Sequence, residues 1–335
     1  MITLNKNMLF NEYLPYWLET YSAPNNRDTT IKNYRYTIMK HITPNLGHYR
    51  IEDLKTAVIQ EYANSLIHYK KGTIVNIVKI IKNSLRVATD ILDILPYNPS
   101  EKVFIPKNAI ETHVSSMTDD EIIAVFKDTE KKDYGVPIRL GYLTGLRAGE
   151  ACALSWENID FENKMIYIKH GLTSLNKTDW RLSPPKTKTS VRSLPMHNEL
   201  FVFLSDLKKK QESSEEKRGY HFFKLNQDGY IKRCEKEESN IRFVCAKPNG
   251  DFTHPVCLAT NCNRVSKRLG FRFTFHMLRH TYATQLLENK ASLIDISCRL
   301  GHASTETTTK IYLHRTAKIA EATNKILDEN FLKIH

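Results

Sequence analysis

A chain of 335 residues is longer than one hydrophobic core normally supports, so two domains are expected, and 41% hydrophobic residues are ample to build their cores. The 49 Lys+Arg against 37 Asp+Glu leave a formal charge of +12, which favours a folded protein with a polyanionic partner such as nucleic acid. No run approaches the ~18 apolar residues of a membrane span, and the N-terminus lacks the basic start, apolar core and cleavage site of a signal peptide, so a cytoplasmic protein is expected.

From Met8 to about Leu95 the pattern is helical throughout. Ile31, Tyr34, Ile38 and Ile42 recur on one face after Asp28. Ile74, Ile77, Val78, Ile81, Leu85, Ala88 and Leu92 do so after Gly72. Steps of three and four predict amphipathic helices. Pro96, Pro99 and Pro106 then interrupt the chain, and the polar stretch to Ser116 is expected to be a linker, giving domains of 1–110 and 111–335. Thr118-Asp119-Asp120-Glu121 has the form of a capping box and starts a new helix. A helix carrying Thr144–Arg147 follows, and Lys164–His170 and Val191–Pro195 alternate like short strands. The charge-rich stretch between Lys208 and Lys236 is expected to be a surface insertion. Helices resume at Leu258–Leu269 and run to the end. The fold class is therefore mainly α with a small β-sheet in the second domain.

Both parts are basic, since residues 1–110 hold 14 Lys+Arg against 9 Asp+Glu and the remainder 35 against 28, which suits a clamp better than a basic tail. Lys79, Lys82 and Arg86 recur at steps of three and four, as a DNA-facing stripe or equally as a solvated face. The six cysteines are read as free thiols. Cys234, Cys245, Cys257 and Cys262 with His254 form no CxxC pair, so no metal is expected.

Four segments stand out: Thr144-Gly145-Leu146-Arg147-Ala148-Gly149-Glu150, Pro185-Lys186-Thr187-Lys188, His276-Met277-Leu278-Arg279-His280-Thr281, and Leu300-Gly301-His302 followed ten residues later by Tyr312. Singly each is weak, because an Arg near a Gly is usually a surface Arg and one Tyr among 16 is usually core. Together, in this order, they resemble the tyrosine recombinase (phage-type integrase) family, over residues 117–314. The segment ahead of them resembles the family's core-binding domain only generically.

The residue types suit the chemistry that this resemblance implies. Breaking a phosphodiester while conserving its energy requires a nucleophile that stays bonded to phosphorus, as a Tyr hydroxyl can. Guanidinium forks hold phosphate oxygens bidentately and keep their charge, which fits Arg147 and Arg279. The i,i+3 spacing sets His276 beside Arg279 on a helix, and Glu150 follows Arg147 by the same step. By resemblance, Tyr312 attacks the scissile phosphate, His276 assists proton transfer at its hydroxyl, His302 hydrogen-bonds a phosphate oxygen, and Lys186 protonates the leaving 5′ oxygen, with Lys188 the alternative. Gly301 is expected to cap a helix and to present His302 at a loop edge. Glu150 is read as the partner that fixes Arg147, and His280 as a packing or supporting residue.

The resemblance implies a two-domain DNA clamp acting on double-stranded attachment sites as a homotetramer, without cofactor, metal or ATP, in bacterial cytoplasm at the nucleoid. An excision factor or a host DNA-bending protein would be further partners. The tail from Thr316 to His335 carries an apolar stripe (Ile319, Ala320, Thr323, Ile326, Leu327, Phe331, Leu332) and is expected to dock on a neighbouring subunit. Larger integrases have an arm-type DNA-binding domain ahead of the helical one, whereas here the first amphipathic segment starts by about Met8. A type IB topoisomerase and a non-catalytic DNA-binding regulator remain the alternatives.

Overall fold

The computed structural model describes residues 4–111, 116–174, 176, 178–184, 190–217 and 219–301. Lys186, Lys188, His302, Tyr312 and the tail from Thr316 to His335 lie outside the described residues. The chain divides into two compact units, Met1–His113 and Val114–His335.

The first unit is helical: α1 (Phe10–Trp17), α2 (Asp28–Thr37), α3 (Thr43–Leu46), α4 (Thr56–Ser65) and α5 (Lys71–Asp90). Helix α2 buries Ile31 and Tyr34, and a π turn over Ile38–Ile42 carries the chain into α3 while keeping Ile38 and Ile42 inside. Helix α5 is the spine, burying Ile74, Ile77, Ile80, Ile81 and Leu85 completely. Each such side chain contributes about 1.5–3 kcal/mol of burial free energy. Buried Tyr13 on α1 donates to Ser84 O of α5 at 2.7 Å, which satisfies the one polar atom this contact hides.

Residues 96–111 depart from the linker expectation. The prolines bar a helix but not packing, and this stretch of turns packs against the helices of the first unit. Leu95 and Ala109 are buried in its core, with Val103 and Ile105 against it. Asn98 Nδ2 donates to Lys82 O (3.1 Å), Thr56 Oγ1 to Pro99 O (2.7 Å), and Lys71 N to Ile110 O (2.9 Å).

The second unit begins with α6 (Asp119–Thr129), whose capping box is formed: Glu121 N donates to Thr118 Oγ1 and Thr118 N to Glu121 Oε2. Then come α7 (Gly135–Thr144), α8 (Ala148–Ala153), β1 (Ile159–Asp160), β2 (Met165–Ile168), β3 (Gly171–Ser174), β4 (Trp180–Ser183), β5 (Arg192–Pro195), α9 (Asn198–Glu215), β6 (Phe222–Leu225), β7 (Ile231–Cys234), α10 (Pro255–Leu269), α11 (Phe275–Glu288) and α12 (Leu293–Leu300). The two expected strands pair antiparallel as β2 and β5, with Ile166 opposite Leu194 and Ile168 opposite Arg192. The single small sheet expected is, among the described residues, three: β1-β2-β5 and the hairpins β3-β4 and β6-β7.

The charge-rich stretch expected to be a surface insertion forms regular elements with apolar anchors. Its first part completes α9, anchored by buried Leu200 and Leu204, and its second forms β6-β7, where Phe223 is buried and Leu225 and Ile231 pack on the core. One apolar face suffices for either element, and the charges on the outward faces hide it from a composition count. Among the described residues no helix is long and apolar enough to cross a membrane.

Candidate active site

Helix α7 stops at Gly145, which is left-handed at φ 66°. A Cβ there would lie 2.6 Å from Tyr282 Cδ1 and 2.9 Å from Leu300 Cδ2, so both conformation and space require glycine. Thr144–Arg147 therefore does not continue one helix as expected: the chain turns, and Arg147 becomes the N-cap of the short α8. Glu150 at the third helical position accepts from Arg147 N (3.0 Å, Oε2) and from Arg147 Nη1 (2.7 Å, Oε1). The expected i,i+3 partnership is present, and it fixes backbone and fork together.

Helix α12 starts under a Ser292 cap and ends at Gly301, left-handed at φ 62°. Its last carbonyls form the partially negative end of the helix. Leu300 O accepts from Arg279 Nη2 (2.6 Å) and Arg147 Nη1 (3.4 Å), and Gly301 O from Arg147 Nη2 (3.1 Å). Arg279 Nη1 donates to Gly145 O at 2.8 Å. The two arginines thus converge on one spot. Arg279 is 3% exposed; burial, and then the Arg147 charge, pull its guanidinium down to about 9, so it stays charged at neutral pH. The Arg147 side chain is 39% exposed and opens to solvent.

His276 lies one turn before Arg279 on α11. Desolvation, followed by the charges of Arg279 and Arg147, holds its pKa below the ordinary imidazole value, which favours the neutral ring at pH 7. His280 meets it edge to face at 4.7 Å. Burial, with His276 and Arg279, pushes His280 down to about 4, so its ring is neutral beside His276.

Arg192 was not picked out by sequence. At the start of β5, with its side chain 6% exposed, it donates from Nη2 to Glu150 Oε2 (3.0 Å), from Nε to Arg299 O (2.6 Å) and from Nη1 to Ser190 O (3.1 Å). A signal existed: strand alternation puts Arg192 on the same face as buried Leu194, and an inward arginine must have acidic or carbonyl partners. Burial alone would raise the Glu150 carboxyl, but the hydrogen bonds and charges of Arg192 and Arg147 outweigh it and hold the group below the usual carboxylate range.

The basic stripe of α5 splits in two. Lys82 Nζ is 2.8 Å from Glu101, and Arg86 shares a cleft with Asp90 and Glu101, so that half is balanced by acids. Lys79 instead borders a cleft lined by Thr30, Asn33, Tyr36, Thr37 and Asn76, without a carboxylate. His254 is used structurally: its Nδ1 accepts from Cys257 N at 3.1 Å, and its ring stacks on Trp180 at 4.4 Å. Cys152, Cys245 and Cys262 are buried, and burial pushes the Cys262 thiol up to about 12. Among the described residues no group of three or more His, Cys, Asp or Glu is arranged to hold a metal ion.

Two sequence profiles match this chain: the Phage integrase family over residues 115–318, and the Phage integrase N-terminal SAM-like domain over residues 9–67. The chain is 27% identical over 317 residues to a "Tyrosine recombinase XerC-like" protein of Caldanaerobacter subterraneus, covering 86% of this chain and 77% of that one. It is 26% identical over 310 residues to the transposase from transposon Tn916 of Enterococcus faecalis, covering 90% and 72%. In fold it is similar to the Tn1549 transposon integrase solved with transposon right-end DNA, at a TM-score of 0.77 and 21% identity, covering 96% of this chain and all of that one.

Proposed function

The chain belongs to the phage integrase family, and we propose that it is a site-specific DNA recombinase that cleaves and rejoins duplex DNA through a 3′-phosphotyrosyl link at Tyr312, integrating or excising a mobile element. What carries this reading is the convergence of Arg147 and Arg279 on Leu300 O, beside the neutral His276. A guanidinium has five N–H donors, more than the bonds either arginine makes among the described residues, and the remainder can serve phosphate oxygens. In the low-dielectric surroundings of Arg279, their two charges stabilise the negative charge that gathers on the non-bridging oxygens of the transition state.

The Tyr312 oxygen bonds to phosphorus as the bond to the 5′ oxygen breaks. The tyrosine proton passes toward His276, and the departing 5′ oxygen takes a proton from Lys186, with Lys188 the other lysine of that segment. His302 adds a donor to a phosphate oxygen. The released 5′ hydroxyl of a second duplex then reverses the step with exchanged partners, so bond energy is conserved in the ester. Lys79 and its acid-free cleft form the basic surface of the first unit that we assign to the DNA backbone, ahead of Lys82 and Arg86. The working form is a homotetramer on two attachment sites, with the tail after Thr316 reaching a neighbour.

The test is a covalent adduct. Full-length protein on a nicked suicide duplex should form a protein–DNA species that survives denaturing electrophoresis, and Tyr312→Phe should bind the same duplex and form none. An adduct from Tyr312→Phe removes the nucleophile assignment, no adduct from the wild-type protein favours a binding-only regulator, and cleavage without exchange between two duplexes favours the topoisomerase reading.

A further inference from the structure

We propose that Arg192 is a positioning residue of the recombination reaction, tying Glu150 to the last turn of α12 so that the Arg147 fork is held open toward the scissile phosphate. This rests on the reading of Arg147 as a phosphate ligand.

Arg192 has no face left for DNA. Its Nε, Nη1 and Nη2 each donate to protein, and its side chain is 6% exposed, against 39% for Arg147. Its partners come from elements far apart in sequence, Glu150 on α8 and Arg299 O on α12, 42 and 107 residues away. A guanidinium pinned between a buried carboxylate and a helix end in low dielectric makes strong, directional bonds.

The fit at the other side is close. A Cβ on Gly301 would sit 3.0 Å from Arg192 Nη1 and 3.2 Å from its Cδ, so the turn that ends α12 is shaped to the Arg192 side chain. Three successive carbonyls of that turn are each gripped by arginine: Arg299 O by Arg192, Leu300 O by Arg279 and Arg147, and Gly301 O by Arg147.

The consequence for Arg147 is a matter of oxygen occupancy. Glu150 Oε1 takes one fork nitrogen of Arg147, while Oε2 is shared between the Arg147 backbone N–H and Arg192 Nη2. With Arg192 gone, only the Arg147 backbone N–H still holds Oε2, and the carboxylate can rotate onto the fork. A bidentate carboxylate would then consume the N–H groups that phosphate must use. Arg192 therefore acts by keeping Glu150 monodentate on the fork.

The experiment is single-turnover cleavage of a suicide duplex at saturating full-length protein, for wild type, Arg192→Lys and Arg192→Gln, with binding and melting measured alongside. Lysine keeps the charge beside Glu150 but cannot reach Glu150, Arg299 O and Ser190 O together. Arg192→Lys should therefore fold and bind like wild type, melt a few degrees lower, and cleave at least about tenfold more slowly, and Arg192→Gln about a hundredfold more slowly. Sulfur at the bridging 5′ position should restore neither, because the leaving group is not what has been damaged. Wild-type cleavage rates in Arg192→Lys, rescue by sulfur, or binding that falls in step with cleavage would each overturn the proposal. If Arg192→Gln fails to fold, Arg192→Lys decides alone. A wild-type adduct with an unimpaired Arg192→Lys removes only the positioning role, whereas no wild-type adduct removes the recombinase reading beneath it.

Discussion

Replacing Glu150 by glutamine removes one negative charge and almost no volume from a site where the side chain is 6% exposed. Three donors lose their anionic acceptor: Arg147 N, Arg147 Nη1 and Arg192 Nη2. The Arg192 side chain, equally buried, is left with carbonyl partners and no counter-charge. Breaking a buried pair from one side costs about 3–5 kcal/mol, and a unit of this size loses about 2–4 °C of melting temperature per kcal/mol, so Glu150→Gln should melt about 6–20 °C lower at pH 7. The pH dependence carries the sign. The folded Glu150 carboxyl lies below its ordinary value of 4.5. Its contribution is therefore fully present above that pH and is lost as pH falls through the depressed folded value. The gap between the two proteins should stay constant from pH 8 to about 4.5 and close only below it. Thermal unfolding by circular dichroism at a series of pH values measures this. A gap under about 1 kcal/mol at pH 7, or one that closes between pH 7 and 5, would refute the shared-carboxylate account.

Lys186→Ala should lose cleavage of ordinary DNA and regain it on a duplex with sulfur at the bridging 5′ position, since a thiolate leaves unprotonated; rescue of Lys188→Ala instead would move the acid two residues on. Lys79→Ala should flatten the dependence of log K on log salt by about 0.9, and Lys82→Ala by much less because Glu101 already neutralises it. Equal slopes for the two variants, from binding titrations, would show that the acid-free cleft is not special. Gly145→Ala should destabilise the second unit by about 2–4 kcal/mol, through left-handed strain and contact with Tyr282 and Leu300, and should slow cleavage by displacing the carbonyl that Arg279 holds. Unchanged melting would mean that the turn has slack.

The parts of the site set by local rules were legible in the sequence. Helical spacing placed His276 one turn from Arg279, and the Gly after Leu300 marked where α12 ends. The partnership of Glu150 with Arg147 follows from three-residue spacing, although the break at Gly145 makes it a cap rather than a mid-helix pair. Arg192 was hidden because a four-residue strand shows only alternation, and what makes its side chain functional lies on α8 and α12. The segment 96–111 was misread for a related reason: prolines report that a helix is impossible, while the packing of Val103, Ile105 and Ala109 depends on helices distant in sequence. In α5, Lys79 and Lys82 look equivalent along the helix, and only the fold brings Glu101 to one of them.

The hydrogen bonds that gather the arginines span 42, 107, 134 and 153 residues of chain. Closing loops of such length costs entropy that the bonds repay only once they have formed. A partly unfolded chain therefore carries these residue types without the geometry that brings them together. The arginine cluster is therefore completed only with the fold of the second unit, because no short stretch of chain holds all of its donors and acceptors.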